Sequence, residues 1–179
     1  MCQLDQFLQP IQPLRSDEHI RGSATAKVIL VEYGDFQCPR SGQLYLKLKE
    51  LTQQLQQNLG FVFRHFPKTD LNSRAQIAAE TAEAAHAQGK FWEMHDLLFE
   101  HQTALEDADL LEYAIALNLN IPQFLQELAD HVYSDRIQGD INSAQTYGIS
   151  KAPAIFILVQ PTSDTNLAEI LMKLLEIVT

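Results

Sequence analysis

Val31-Glu32-Tyr33-Gly34-Asp35-Phe36-Gln37-Cys38-Pro39-Arg40-Ser41 is the stretch on which the fold turns. Its first residues close an apolar, β-branched run over 27–33 that reads as a buried strand, stopped by Gly34-Asp35. Beyond Pro39, Leu44, Leu48, Leu51 and Leu55 form the stripe of an amphipathic helix that runs to about residue 58 and is ended by Gly60. Proline suits the first turn of such a helix, where its missing N–H would have no partner. Cys38 therefore falls between the end of a strand and the start of a helix, where unpaired N–H groups and the positive dipole end stabilise an anion. Sulfur attacks as the thiolate, so this is a place for a nucleophile. Taken alone, Cys38 reads equally well as a small buried apolar residue. Asp35, three residues earlier, reads first as a turn residue and second as a participant in proton transfer.

Working outward, residues 61–66 are aromatic and compact and stop at Pro67, which predicts a second buried strand. Strand, helix and strand at this spacing imply a parallel pair with a right-handed crossover. From residue 72 to about 147 the pattern is helical throughout. Segments 73–88 and 91–101 are followed by a helix capped by Asp107, one opened by Pro122, and one over 132–147 broken by Gly148. Residues 154–159, after Pro153, make the strongest strand in the chain, and 167–178 an amphipathic closing helix. Residues 1–25 carry Pro10, Pro13 and Gly22 and read as an irregular or extended N-terminal arm. The expected plan is one α/β domain over 26–179 with a helical insertion at about 72–147.

Composition narrows the function classes. The chain has 179 residues, 46% of them hydrophobic, enough for a core without disulfides. Its 13 basic and 23 acidic residues give a charge of −10, which argues against nucleic acid or an anionic membrane as partner. The first residues lack the basic start and apolar stretch of a secretory signal, and no window reaches the roughly 18 apolar residues of a membrane span. Two cysteines, Cys2 and Cys38, do not make a disulfide scaffold, so the cytoplasm is the expected compartment. His65, His86, His95 and His101 find no carboxylate or thiol that completes a ligand set, and no metal is expected. Phe91, Trp92 and Met94 read as core of the insertion; Glu106, Asp107 and Asp109 read as a solvated helix start.

Residues 31–39 resemble the active-site segment of DsbA-like thioredoxin-fold oxidoreductases, in which Cys-Pro-x-Cys opens the first helix. The resemblance continues in Glu18-His19-Ile20-Arg21-Gly22, in Phe63-Arg64-His65-Phe66-Pro67, in residues 89–96, and in Tyr147-Gly148-Ile149-Ser150-Lys151-Ala152-Pro153. It implies a thioredoxin-like α/β fold with a central all-helical insertion. It also implies a nucleophilic Cys38, with Pro39 and Arg40 beside the substrate. Pro153 would be a cis-proline facing the cysteine, and Ala152 the backbone position that meets an extended substrate.

Ser41 departs from the family, because it stands where the second cysteine belongs. A second thiol releases trapped mixed disulfides, and serine cannot. The resemblance then implies single-cysteine chemistry on protein or small-molecule disulfides, with Ser41 donating a hydrogen bond to the thiolate and glutathione as co-substrate. No other cofactor is implied. Cys-Pro-x-Ser is also similar to the sites of monothiol glutaredoxins and kappa-class glutathione transferases. A transferase-like enzyme and a non-catalytic, chaperone-like peptide-binding module are therefore the rival readings. Only residues 160–165 separate the last strand from the closing helix, which leaves room for a missing final strand and an exposed sheet edge on which a homodimer could form.

Overall fold

The computed structural model describes residues 14–55, 58–159 and 167–178. Its sheet is built around strand β2, Val28–Gly34, every residue of which is buried. Alternate β2 residues face opposite layers: Val28 and Leu30 join one core cluster, Ile29, Val31 and Tyr33 the other. A strand covered on both faces has to be apolar along its whole length, and this one is, except at Glu32.

Helix α1, Pro39–Leu55, follows β2 and buries Leu44, Leu48, Leu51 and Leu55, the predicted stripe. Strand β3, Leu59–His65, returns parallel to β2, with Leu30 opposite Phe61 and Glu32 opposite Phe63. Gly60, expected to end the helix, is instead a sheet residue. A Cβ there would lie 2.6 Å from the Ser23 carbonyl oxygen, so only glycine lets the neighbouring chain approach. That neighbour belongs to the stretch 1–25, read as an irregular or extended arm, and part of that stretch is a strand. Residues His19–Gly22 form strand β1, antiparallel to β3, with His19 opposite Phe63 and Gly22 opposite Gly60.

Five helices connect β3 to the last strand: α2 (Ala75–His86), α3 (Phe91–Glu100), α4 (Asp107–Ala116), α5 (Ile121–Ala129) and α6 (Ser134–Thr146). The acids before α4 do more than meet solvent. Glu106, not Asp107, is the N-cap; it forms a capping box with Asp109, and Arg74 binds Asp107. Helix α6 ends on Gly148 at φ 68, with the Ile149 N–H donating to the Ala144 carbonyl at 3.0 Å and the Gly148 N–H to Gln145 at 2.9 Å. This left-handed stop turns the chain into the loop before strand β4, Ala154–Val159, which runs antiparallel to β2.

The strand order is β1-β3-β2-β4, with helix α7, Leu167–Val178, packed on α1. This is the thioredoxin-like fold. The interval 160–165, where a final strand was expected to be missing, lies outside the described residues, as does Cys2.

The second layer is locked by a buried ion pair. Arg64 is fully buried, and its Nε lies 3.1 Å from the Glu18 carboxylate. Its Nη1 donates to the Tyr33 hydroxyl at 2.7 Å, and that hydroxyl is 2.7 Å from Ser143 Oγ on α6. Strands β2 and β3, the segment before β1 and helix α6 thus share one polar node. Removing one partner of such a pair leaves an uncompensated buried charge. Arg64→Leu is expected to cost roughly 3–5 kcal/mol in urea unfolding, and the double change with Glu18→Leu to recover much of it. Additive losses from the two single variants would contradict the coupling.

Candidate active site

Cys38 is half-buried at the N-terminus of α1. The first hydrogen bond of the helix runs from the Gly42 N–H to the Cys38 carbonyl at 3.1 Å, which makes Cys38 the residue that caps it. Its side chain therefore stands at the capping position, beside the unpaired N–H groups of the first turn. Across the gap, Cys38 Sγ lies 3.6 Å from the carbonyl oxygen of Ala152, and the Ala152–Pro153 bond is cis. The structure thus brings together Cys38, Ala152 and Pro153 from opposite ends of the chain. Pro39 and Arg40 stand exposed on the first turn of the helix.

Ser41 does not play the expected part. It is fully buried, and its hydroxyl oxygen accepts from the Asp35 N–H at 3.3 Å. The hydrogen bond from Ser41 to the thiol is absent among the described contacts. Facing inward on the helix, the residue braces the loop that leads to Cys38.

Asp35 organises that loop. The carboxylate is 1% exposed and accepts from the Gln37 N–H at 2.8 Å, the Lys68 N–H at 3.0 Å and Asn72 Nδ2 at 2.6 Å. The turn role read from the sequence extends into a clamp between two loops. Gln102, just beyond α3, has no signal of its own in the sequence. Its Nε2 donates to the carbonyls of Phe36 at 2.7 Å and Cys38 at 2.9 Å. Gly42 makes room for it, since a Cβ there would meet Gln102 Oε1 at 2.0 Å. A glycine inside a helix costs about 1 kcal/mol relative to alanine, so its presence is the trace this contact leaves in the sequence.

Glu32 is the second residue that sequence reading passed over. It is 1% exposed, on the β2 face shared by Val28 and Leu30, and its Oε1 has no hydrogen-bond partner among the described residues. Burial pushes its carboxyl up to about 8. The side chain leans toward Gly34, where a Cβ would lie 2.9 Å from Oε1 and 2.3 Å from the Phe63 ring. His95, also buried, is pushed down to about 4 by loss of solvent, despite a 3.0 Å contact between Nδ1 and Asp96.

The absence of a carboxylate for a metal set needs correction. His19 Nε2, His65 Nε2 and Glu83 Oε1 lie within 4.8 Å of one another, all buried. Both imidazole nitrogens, however, stand 2.8 Å from the same oxygen, which is the spacing of hydrogen bonds rather than of three ligands around an ion. Burial would raise the Glu83 carboxyl, but the bonds from His19 and His65 outweigh it and hold it below the usual carboxylate range. A groove of 860 Å³ is lined by Arg21, Ser23, Lys49, Thr52, Leu59 and Asp96 among others. It lies toward the end of the sheet where β3 begins, whereas Cys38 follows the far end of β2, so the groove is separate from the thiol.

The sequence pattern of the family described as thioredoxin matches residues 15–176. Among curated proteins, the chain is 46% identical over 151 residues to "Na(+)/H(+) antiporter NhaA 1" of Salinispora arenicola. It is 38% identical over 153 residues to the protein of the same name from Mycolicibacterium vanbaalenii. Each match takes in 84% of this chain but 23% and 24% of the relative, so the chain spans about a quarter of the length of these curated relatives. Among solved structures, oxidised BdbD from Bacillus subtilis superposes with a TM-score of 0.74 at 19% identity, covering 93% of this chain and 95% of the other. Wolbachia pipientis alpha-DsbA1 gives 0.70 at 20% identity, covering 89% and 82%. At these identities the likeness is one of fold.

The two buried titrating groups give a pH test. Between about pH 4.5 and 8 the native chain keeps a proton on Glu32 that the unfolded chain releases. Glu32 therefore costs stability as pH rises through that window, by about 1.4 kcal/mol per unit. His95 has the opposite sign: the unfolded chain is protonated first, so stability rises between about pH 4 and 6.5. Glu32→Gln keeps the shape and removes the titration. Urea unfolding at several pH values should show its advantage over the parent growing from pH 5 to 8. An advantage that stays constant with pH would mean that Glu32 is ionised in the folded chain.

Proposed function

The chain belongs to the thioredoxin family, in its DsbA-like form, and from that premise we propose that it is a thiol–disulfide exchange protein working through Cys38 alone. The observation that carries the reading is the position of Cys38 Sγ: at the cap of α1, partly open to solvent, and 3.6 Å from the Ala152 carbonyl beside a cis-proline. A sulfur in that position donates to the Ala152 carbonyl on one side and keeps an open side from which a disulfide can approach. Pro39, Arg40 and Ala152 would border the incoming substrate, Pro153 would shape the groove, and Ser41 would act through the loop rather than on sulfur.

In the proposed cycle the Cys38 thiolate attacks one sulfur of a substrate disulfide. The S–S bond breaks, and the second sulfur leaves as a thiolate that takes up the proton Cys38 gave to solvent. The product is a mixed disulfide on Cys38. Ser41 offers no thiol to resolve it, so the thiolate of a small external thiol attacks the substrate sulfur of the mixed disulfide, forms a new disulfide with it and expels the Cys38 thiolate. Glutathione fits that part in a reducing compartment such as the cytoplasm, where we place this chemistry.

A second reading is favoured by the curated relatives. Sequence like this one makes up about a quarter of proteins named Na(+)/H(+) antiporters. On that reading the chain works beside a membrane cation transporter, and the state of Cys38 is passed to it. No helix among the described residues is long and apolar enough to cross a membrane. Unchanged sodium–proton exchange after deletion of the chain from its host would count against this role.

The enzymatic reading is tested in a Cys2→Ala background with glutathione disulfide. A single glutathionyl adduct should form on Cys38, be lost on adding glutathione, and be absent in Cys38→Ser. Ser41→Cys, which supplies a second thiol, is expected to shorten the lifetime of the mixed disulfide at least tenfold. An intact fold that forms no adduct but binds unfolded peptide would replace exchange with the peptide-binding module.

A further inference from the structure

Most cations in this acidic chain stand beside a carboxylate. Of the 13 Lys and Arg, nine stand within 4.0 Å of an acidic group. Lys27 and Lys47 also have partners. Among the described residues, Arg40 and Lys151 are the two that remain, and both are exposed. With 23 acids on the chain, an unmatched surface cation is uncommon here, and the position of these two is informative.

Arg40 lies in the first turn of α1, two residues beyond Cys38 and thus within about 7 Å of it along the chain. Lys151 directly precedes Ala152, whose carbonyl oxygen is 3.6 Å from Cys38 Sγ. One free cation therefore sits on each of the two segments that meet at the thiol. Asp35, the nearest acid in sequence, pairs with neither of them: its carboxylate is buried and takes three hydrogen bonds from its own loops. Exposed cations on both flanking segments favour the approach of an anion to a chain whose net charge otherwise repels it, an effect that salt screens beyond about 8 Å at physiological strength.

We propose that Arg40 and Lys151 make Cys38 selective for small anionic disulfides, those bearing carboxylates on both arms around the sulfur, for which glutathione disulfide is the probe. This rests on the reading of Cys38 as the attacking thiol and names the substrate class it serves. The Cys38 thiolate displaces one glutathione thiolate from the disulfide, leaving Cys38 glutathionylated. The expelled thiolate takes a proton from water, balancing the one released when Cys38 ionised. The two carboxylate-bearing ends of the bound arm are met by the two cations, which hold it while the sulfurs exchange.

The test compares second-order rates of adduct formation on Cys38, in the Cys2→Ala chain, for three disulfides: glutathione disulfide (anionic), hydroxyethyl disulfide (neutral) and cystamine (cationic). The ratio of anionic to cationic rates cancels any change in the thiol itself. At low salt the ratio should exceed the one measured with the urea-unfolded chain, and it should shrink as salt is raised to about 0.5 M. Arg40→Glu with Lys151→Glu should lower it roughly tenfold or more, and each single change by part of that. A ratio unaltered by either substitution or by salt would overturn the selectivity while leaving the nucleophile standing. A folded chain that reacts with none of the three disulfides would instead overturn the exchange reading beneath it.

Discussion

The carboxylate of Asp35 joins the end of β2, the turn into α1 and the loop after β3, through bonds to Gln37, Lys68 and Asn72. With it, and with Gln102 holding the carbonyls of Phe36 and Cys38 from the helical insertion, the cap of α1 is set in space. Everything claimed for Cys38 depends on that placement. A thiol held at a helix cap and aimed at the Ala152 carbonyl has a defined approach side, whereas the same thiol on a loose loop would be an ordinary surface cysteine. The insertion is thereby more than packing, because Gln102 and the Arg74 N–H, which donates to Gln37 Oε1, both reach the active-site loop from it.

The same sheet carries an unusual load of buried polar groups. Arg64 is paired with Glu18, Asp140 accepts the His65 N–H, and Glu83 takes bonds from two histidines. The three carboxylates are each held by donors, which makes them register-fixing elements of the fold, although His65 Nδ1 is left without a partner among the described residues. Glu32 is a carboxylate whose Oε1 has no donor among the described residues, and its carboxyl is pushed up to about 8. Its protonated form suits the apolar layer that α1 and α3 build over β2.

Much of this was legible in the sequence, and the reasons are local. The stripe of Leu44, Leu48, Leu51 and Leu55, the apolar run of β2 and the turn at Gly148 follow from periodicity and backbone preference, and they reappear as elements. Strand β1 was hidden because its four residues have no strand signal of their own and exist as a strand by pairing with β3. Gly60 was misread because a glycine that ends a helix and one that admits a neighbouring chain look alike in one dimension. Cys38, Ala152 and Pro153 were brought to one place by family resemblance, while Gln102, Lys151 and Glu32 needed three dimensions. Ser41 was assigned to the thiol because it occupies the position of a cysteine, but on α1 that position faces inward.

The central claim is that the fold activates Cys38. The most direct measurement is the rate of iodoacetamide alkylation at neutral pH in the Cys2→Ala chain, native and again unfolded in urea. The account predicts that the native thiol reacts at least several times faster, because the fold holds it at the head of α1 with one side open. A native rate equal to or below the unfolded one would show that the position confers no reactivity, and the account of Cys38 as the working group would fail.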